Sequence, residues 1–313
     1  MPRFWKHPAH LTLRTPPDRI ADVKRPLRRV AAPLAAGPKW LLEFSMQFRQ
    51  TALILFMVVV ARCALAAELV NDAPRPAIDV PFARTAPKLD GSPEDPAWTE
   101  AAAIPGLELS LGNAAKGLKP VPTAVRLLWD DSYLYVRFLC EDSEMFVPHT
   151  GRDANHYEGD VAEVFLDPVG DQRQYFELQV SPDNGVLDQL ILVTGEPRIS
   201  PSLAFDWGFS SREVWFWLEW TMDGLRTATG RLQQDGRPAG WVADLGIPAK
   251  PTLRRLGAQR FSPEMALRIN FLRYDRPALP DGSRAFIATN WAPVLYGCPH
   301  VSPAAMGKIV LRK

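Results

Sequence analysis

From Pro120 to the C-terminus, short runs of alternating apolar and polar residues recur along the chain. Alternation over about four to eight residues marks a strand with one buried face, because successive side chains point to opposite sides. Residues 123–129 (Thr-Ala-Val-Arg-Leu-Leu-Trp) stop at Asp130-Asp131-Ser132, a cluster of turn formers, and residues 133–139 follow at once. That spacing predicts a hairpin. Residues 161–166 stop at Asp167-Pro168, and residues 174–180 stop at Ser181-Pro182-Asp183-Asn184-Gly185. Further runs cover 214–219, 225–233, 241–247, 265–271, 285–289 and 308–311.

About ten strands with turns between them predict an all-β chain, a β-sandwich of two mainly antiparallel sheets with extended loops and little helix. A single short turn or helix is expected near residues 93–102, pinned to the sandwich by Trp98. The composition agrees. Thirty prolines in 313 residues are about twice the usual share, and each interior proline removes a helix donor. Apolar residues at 47% and charged residues at 23% are ordinary globular values. Trp98, Trp129 and Trp241 are assigned to the core. Trp215 and Trp217 fall on one side of a strand; with Trp220 they could form a second aromatic platform, but filling the sandwich core is the favoured reading.

The N-terminal region reads as an address. Residues 52–61 form one apolar run, preceded by Arg49 and followed by Ala64-Leu65-Ala66-Ala67. A basic flank, a short apolar segment and a small-x-small site are the parts of a secretory signal peptide, and the run is shorter than the roughly 20 residues needed to span a bilayer. The expected organisation is therefore an N-terminal extension or disordered stretch at 1–45, translation starting at Met46, a signal peptide at 46–67, a linker at 68–83 and one sandwich domain at 84–313. The expected destination is secreted or periplasmic. Residues 1–67 carry 11 basic and 3 acidic side chains, leaving 25 basic and 32 acidic over 68–313. A mildly acidic body does not suit nucleic acid, which is bound through clustered cations. Cys140 and Cys298 remain beyond the signal. In an exported protein they can pair as a disulfide or stay as two buried thiols.

Catalytic motifs are absent. The chain has no Gly-x-Ser-x-Gly elbow, no phosphate-binding loop, no His-Glu-x-x-His and no Cys-x-x-Cys. Carboxylates cluster at Asp153, Glu158, Asp160, Glu163, Asp167 and Glu177. On the 174–180 strand, Tyr175, Glu177 and Gln179 share one face. An aromatic ring beside carboxylate and amide groups suits a sugar, which has an apolar C–H face and a rim of hydroxyls.

Four segments carry a resemblance to carbohydrate-binding module family 9. They are Lys88-Leu89-Asp90-Gly91-Ser92-Pro93-Glu94-Asp95-Pro96-Ala97-Trp98, the hairpin from Val125 to Val136, the stretch from Asn155 to Asp167, and Gly240-Trp241-Val242-Ala243-Asp244-Leu245-Gly246-Ile247-Pro248 with the closing His300 to Gly307. The likeness runs over residues 84–313. It implies a non-catalytic domain that clamps an oligosaccharide or polysaccharide between two loop aromatics and fixes it with a carboxylate. The clamp positions fall on Tyr157 and His300, and the carboxylate falls on Glu163. The family trait of bound structural calcium turns attention to Asp153 and Asp160, since a hard cation takes oxygen ligands. Two other readings stand beside this one. One is a haem or redox sandwich with His300 and Met145 or Met265 as ligands. The other is a glycoside hydrolase using the carboxylates around Glu163.

Overall fold

The structure, a computed structural model, describes residues 5–6, 75–194, 213–294, 300 and 305–313. The stretch read as a signal peptide, 46–67, nearly all of the residues before it, Cys298 and residues 301–304 of the closing segment lie outside these residues.

Among the described residues, fifteen strands make two sheets. They are β1 (Trp5–Lys6), β2 (Ala77–Pro81), β3 (Ala102–Ile104), β4 (Glu108–Leu109), β5 (Thr123–Trp129), β6 (Tyr133–Glu141), β7 (Val161–Asp167), β8 (Gln174–Val180), β9 (Val186–Thr194), β10 (Glu213–Trp217), β11 (Arg226–Gln234), β12 (Arg237–Pro248), β13 (Ala266–Asp275), β14 (Ile287–Asn290) and β15 (Gly307–Arg312). The larger sheet runs β1-β10-β9-β8-β7-β13-β14-β4. One edge of β13 is shared, with β14 on its C-terminal half and β15 on its N-terminal half. Beyond β15 comes β2, in parallel. The smaller sheet runs β11-β12-β6-β5-β3, all antiparallel. Helix among the described residues amounts to the short α1 (Leu111–Ala115) and α2 (Ala249–Thr252) and single turns of 3-10 helix.

The alternation seen in the sequence sorts residues between faces as expected. Ala162, Val164 and Leu166 of β7 and Phe176, Leu178 and Val180 of β8 join Val125, Leu127, Val136, Phe138 and Leu245 of the facing sheet in one buried cluster. Trp129 and Trp241 are fully buried within it. Several runs match their strands closely, as at β5 and β8. β9 was absent from the sequence reading, and β2 comes from the stretch assigned there to a linker.

Each sheet also has an outer face, and these two differ. The outer face of the smaller sheet is covered by the segment around residues 83–101. Trp98, held in a 3-10 helix (Pro96–Glu100) that Asp95 caps, packs there with Ala83, Leu128 and Tyr135. Beneath it Arg137 makes a buried bidentate pair with Asp244 at 2.7 and 2.9 Å, and Asp244 also accepts the Gly91 N–H at 3.0 Å. The Trp98 ring lies 4.6 Å from the Arg137 guanidinium. Gly91 has φ +72, and a Cβ there would fall 2.3 Å from the Gly230 nitrogen. Only glycine allows this close crossing, which is the physical content of the Asp-Gly motif. The outer face of the larger sheet carries a different set of residues.

Candidate functional site

Counting by twos along β7, β8 and β9 puts Glu163, Tyr175, Glu177, Gln179 and Gln189 on that outer face. The register sets Glu163 opposite Gln179 and Glu177 opposite Gln189. Phe165 and Tyr175 join Val161, Ile191, Leu272, Tyr274 and Met306 in a second apolar cluster, with Phe216 and Phe286 against it. Four of the six expected site residues, Glu163, Tyr175, Glu177 and Gln179, are thus brought onto one patch, and all four are buried.

His300 joins them. Its Nδ1 lies 2.8 Å from the Tyr175 hydroxyl and its Nε2 3.1 Å from Glu177 Oε2. Phe165 and Phe216 stand edge-on to its ring at 5.2 and 5.0 Å, and Tyr175 is tilted against it at 5.9 Å. The imidazole is 9% exposed and both its nitrogens are engaged, so it acts as a wall and a hydrogen-bonding group. Tyr157 is different. It sits in a 3-10 turn (His156–Glu158) and is 41% exposed. Partial burial, then the Glu158 and Glu177 carboxylates, raise its phenol pKa.

The two carboxylates have unequal surroundings. Glu177 accepts from Gln179 Nε2 and Gln189 Nε2, both at 2.6 Å. Neither oxygen of Glu163 has a partner of normal hydrogen-bond geometry. Burial, reinforced by the Glu177 charge, raises the Glu163 pKa well above the usual carboxylate range. The Tyr274 hydroxyl and Arg276 oppose the rise more weakly. Arg276 donates through Nη2 to the Tyr157 carbonyl at 2.7 Å and lies over the Phe286 ring at 4.2 Å. This ties the loop bearing Tyr157 to the end of β13.

The residues considered for calcium are arranged otherwise. Asp160 meets Asp142 and Asp275, with carboxylate oxygens within 4.8 Å of one another. Asp153 is not in this group; Arg152, His156 and the backbone of Asp188 are the groups acting on it. The trio is already supplied with donors. Asp160 accepts the backbone N–H groups of Phe146 and Arg276, while Arg273 Nη2 reaches Asp142 at 2.9 Å and Asp275 at 2.8 Å. A calcium ion would have to displace these donors and sit beside a buried guanidinium, so the trio does not fit one. Cys140 is buried in β6 as a free thiol. Met145 and Met265, named with His300 for haem, pack against the sandwich core.

Gln189, Phe165, Phe216, Tyr274 and Arg276 escaped the sequence reading. Gln189 was recoverable from the turn at 181–185, since continuing the alternation beyond it places residues 187, 189 and 191 on the Glu177 face. Phe216 and Tyr274 reach the patch through pairings between distant segments, which leave no local signal.

Residues 89–183 match the family described as Carbohydrate family 9 binding domain-like. The resemblance to family 9 therefore holds. Among solved structures, the fold is similar to that of a family 9 module from Caldicellulosiruptor kristjanssonii. In complex with cellotriose that module aligns at 18% identity and TM-score 0.51, over 76% of this chain and 94% of that one. In complex with glucose the figures are 17%, 0.50, 76% and 96%. A protein from Bacteroides uniformis ATCC 8492, expected to bind carbohydrate, aligns at 12% identity and TM-score 0.56, over 76% of this chain and all of that one. The comparison with curated proteins gave no match. The family 9 match spans Tyr157, Glu163, Tyr175, Glu177 and Gln179, and ends before His300.

Proposed function

We propose that this chain is an exported, non-catalytic carbohydrate-binding protein whose site is the outer face of the larger sheet. The observation that carries this reading is the company kept by Glu163, a buried carboxylate that finds no hydrogen-bond partner of normal geometry among the described residues, set among aromatic rings and a fully engaged second carboxylate. Buried polar groups are nearly always paired, and one left over points to a partner from outside the chain. A ligand that offers donors to Glu163 and apolar C–H faces to the rings supplies what is missing. Tyr157, exposed on its turn, is the stacking ring of this reading, and His300 with Glu177 belongs to the buried part of the site.

The fold supports the choice of face. The smaller sheet's outer face is packed with the chain's own segment around Trp98, whereas the outer face of the larger sheet gathers the polar and aromatic residues of the patch. The family 9 module complexes with cellotriose and glucose concern another protein, and they make short β-linked glucans the first ligands to try. Calorimetric titration of the full chain with glucose, cellotriose, xylo-oligosaccharides and manno-oligosaccharides tests the reading. At least one should bind with a micromolar to millimolar Kd. Absence of binding to the whole panel at millimolar sugar overturns it.

A further inference from the structure

Among the described residues, four buried acceptor atoms on this patch have no hydrogen-bond partner of normal geometry. They are both carboxylate oxygens of Glu163 and the side-chain carbonyl oxygens of Gln179 and Gln189. The arrangement is forced by chemistry. A carboxylate only accepts, so each glutamine must turn its amide nitrogen to Glu177, and each carbonyl oxygen is what remains. The leftover atoms come from three adjacent strands: the register sets Glu163 on β7 beside Gln179 on β8, and Gln189 on β9 opposite Glu177, the next outward position along β8.

A group that satisfies this set must bring donors and few acceptors. A hydroxyl brings one donor and two lone pairs, so each hydroxyl adds acceptors to a place already rich in them. An ammonium brings three donors and no lone pair. The aromatic rings of Phe165, Tyr175, Phe216 and Tyr274 in the same cluster supply electron-rich surfaces that favour a cation further. The cation of the chain that acts on Glu163 is Arg276, whose Nη2 is committed to the Tyr157 carbonyl.

Resting on the carbohydrate-binding reading of this face, we propose that the ligand presents a protonated amine, and that the site takes an amino sugar with its ammonium among Glu163, Gln179 and Gln189. The groups acting electrostatically on Glu163 are Glu177 from β8, Tyr274 near the end of β13 and Arg276 just beyond it. The arriving ammonium shifts that balance toward the ionised carboxylate.

The test compares three tetrasaccharides of one backbone geometry: the β-1,4-linked glucosamine tetramer, its fully N-acetylated form and cellotetraose. Each is titrated into the full-length protein at about pH 6, where the amines carry their protons, in low and in moderate salt. The glucosamine tetramer should bind at least about tenfold more tightly than either neutral tetramer, and the preference should persist in moderate salt because the pair is buried. Glu163→Gln should abolish the preference, and Gln189→Met, which removes one acceptor without touching Glu163, should reduce it several-fold. Melting temperatures of both variants establish that they are folded. Cellotetraose binding as tightly as the glucosamine tetramer overturns the inference and leaves the carbohydrate-binding reading intact. A preference unchanged in both variants, or lost in moderate salt, assigns it to the acidic surface and also overturns the inference. Failure of all three to bind overturns both.

Discussion

Tyr157 stands with 41% of its surface in water while Glu163, Tyr175 and Glu177 are buried. Its side chain therefore contributes little to the core, and Tyr157→Ala should change stability by no more than about 0.5 kcal/mol. Sugar affinity should fall about tenfold, since one stacking contact contributes ~1–1.5 kcal/mol and 1.4 kcal/mol is a factor of ten. Calorimetry and a melting curve on the same sample separate the two effects. A large drop in melting temperature would make Tyr157 a core residue. Asp244 is the opposite case. It is fully buried, holds both guanidinium contacts of Arg137 and accepts the Gly91 N–H. Asp244→Ala leaves an unpaired buried cation, which typically costs ~3–5 kcal/mol. Urea unfolding should show a loss of that size, and a loss below about 1 kcal/mol would mean that water reaches Arg137. The core roles of Trp129 and Trp241 were legible in the chain, because large apolar residues inside alternating runs have few other places to go; Trp98, outside such a run, is buried on the outer face of the smaller sheet. The pairing of Asp244 with Arg137 was not, since the two lie 107 positions apart.

At the level of elements, the strands most visible in the sequence bury one face against the core and follow clean turn signals. β5 and β8 are of this kind. β9 escaped because apolar and polar residues fall on both of its faces, with Leu190 toward the core and Ile191 toward the outer cluster, and Asp188 and Gln189 adjacent. β8 is buried on both sides as well, yet it keeps the period-two contrast because Phe176, Leu178 and Val180 line its core face and Tyr175, Glu177 and Gln179 its outer face. β2 escaped for another reason: it is a five-residue strand completed by β15 from the far end of the chain. Trp129 secures that closure. Its indole N–H is shared between the carbonyls of Val80 at 3.0 Å and Arg312 at 3.1 Å, at the ends of these two parallel strands. Trp129→Phe removes this donor and leaves a gap in a fully buried position, for an expected cost of ~2–4 kcal/mol. Hydrogen exchange should then quicken in β2 and β15 before it does in β7 and β8. Uniform quickening across both sheets would show that the indole N–H is not a local clasp.

For the molecule as a whole, buried carboxylates set the response to pH. Burial raises the pKa of Asp160 to about 7 and raises those of Glu163, Asp167, Asp188 and Asp275 as well. Each keeps a proton in the folded chain at pH values where the unfolded chain has released it. The folded state then binds more protons, and stability falls as pH rises. The window opens near the unfolded carboxylate value of ~4 and, for Asp160, closes near 7. His156, whose pKa burial lowers, works against this trend, because its contribution is lost as pH falls through its folded value. Asp153 is raised too. Six raised carboxylates, most of them buried, stand against His156 and against the exposed Glu158 and Asp281 and the partly exposed Asp171, whose pKa values their partners lower. The melting temperature should therefore be lower at about pH 8 than at about pH 5. Asp160→Asn should flatten part of that slope while lowering stability throughout, because one of the two backbone N–H groups loses its acceptor. A melting temperature that rises steadily across this range would show that these carboxylates are ionised in the fold.

The alternation of side chains determined the all-β class, the hairpins and the residues that fill the sandwich, because period and turn chemistry act between near neighbours. It also determined which residues of a single strand share a face, and so grouped Tyr175, Glu177 and Gln179. Tertiary structure alone decided which outer face the chain's own segment would cover. It also decided that His300 would bridge Tyr175 and Glu177, and that Gln189 would complete the donors around Glu177 and leave Glu163 without one. Those outcomes depend on contacts between segments far apart in the chain, and on burial, which sets whether a carboxylate is a solvated surface charge or an unsatisfied acceptor.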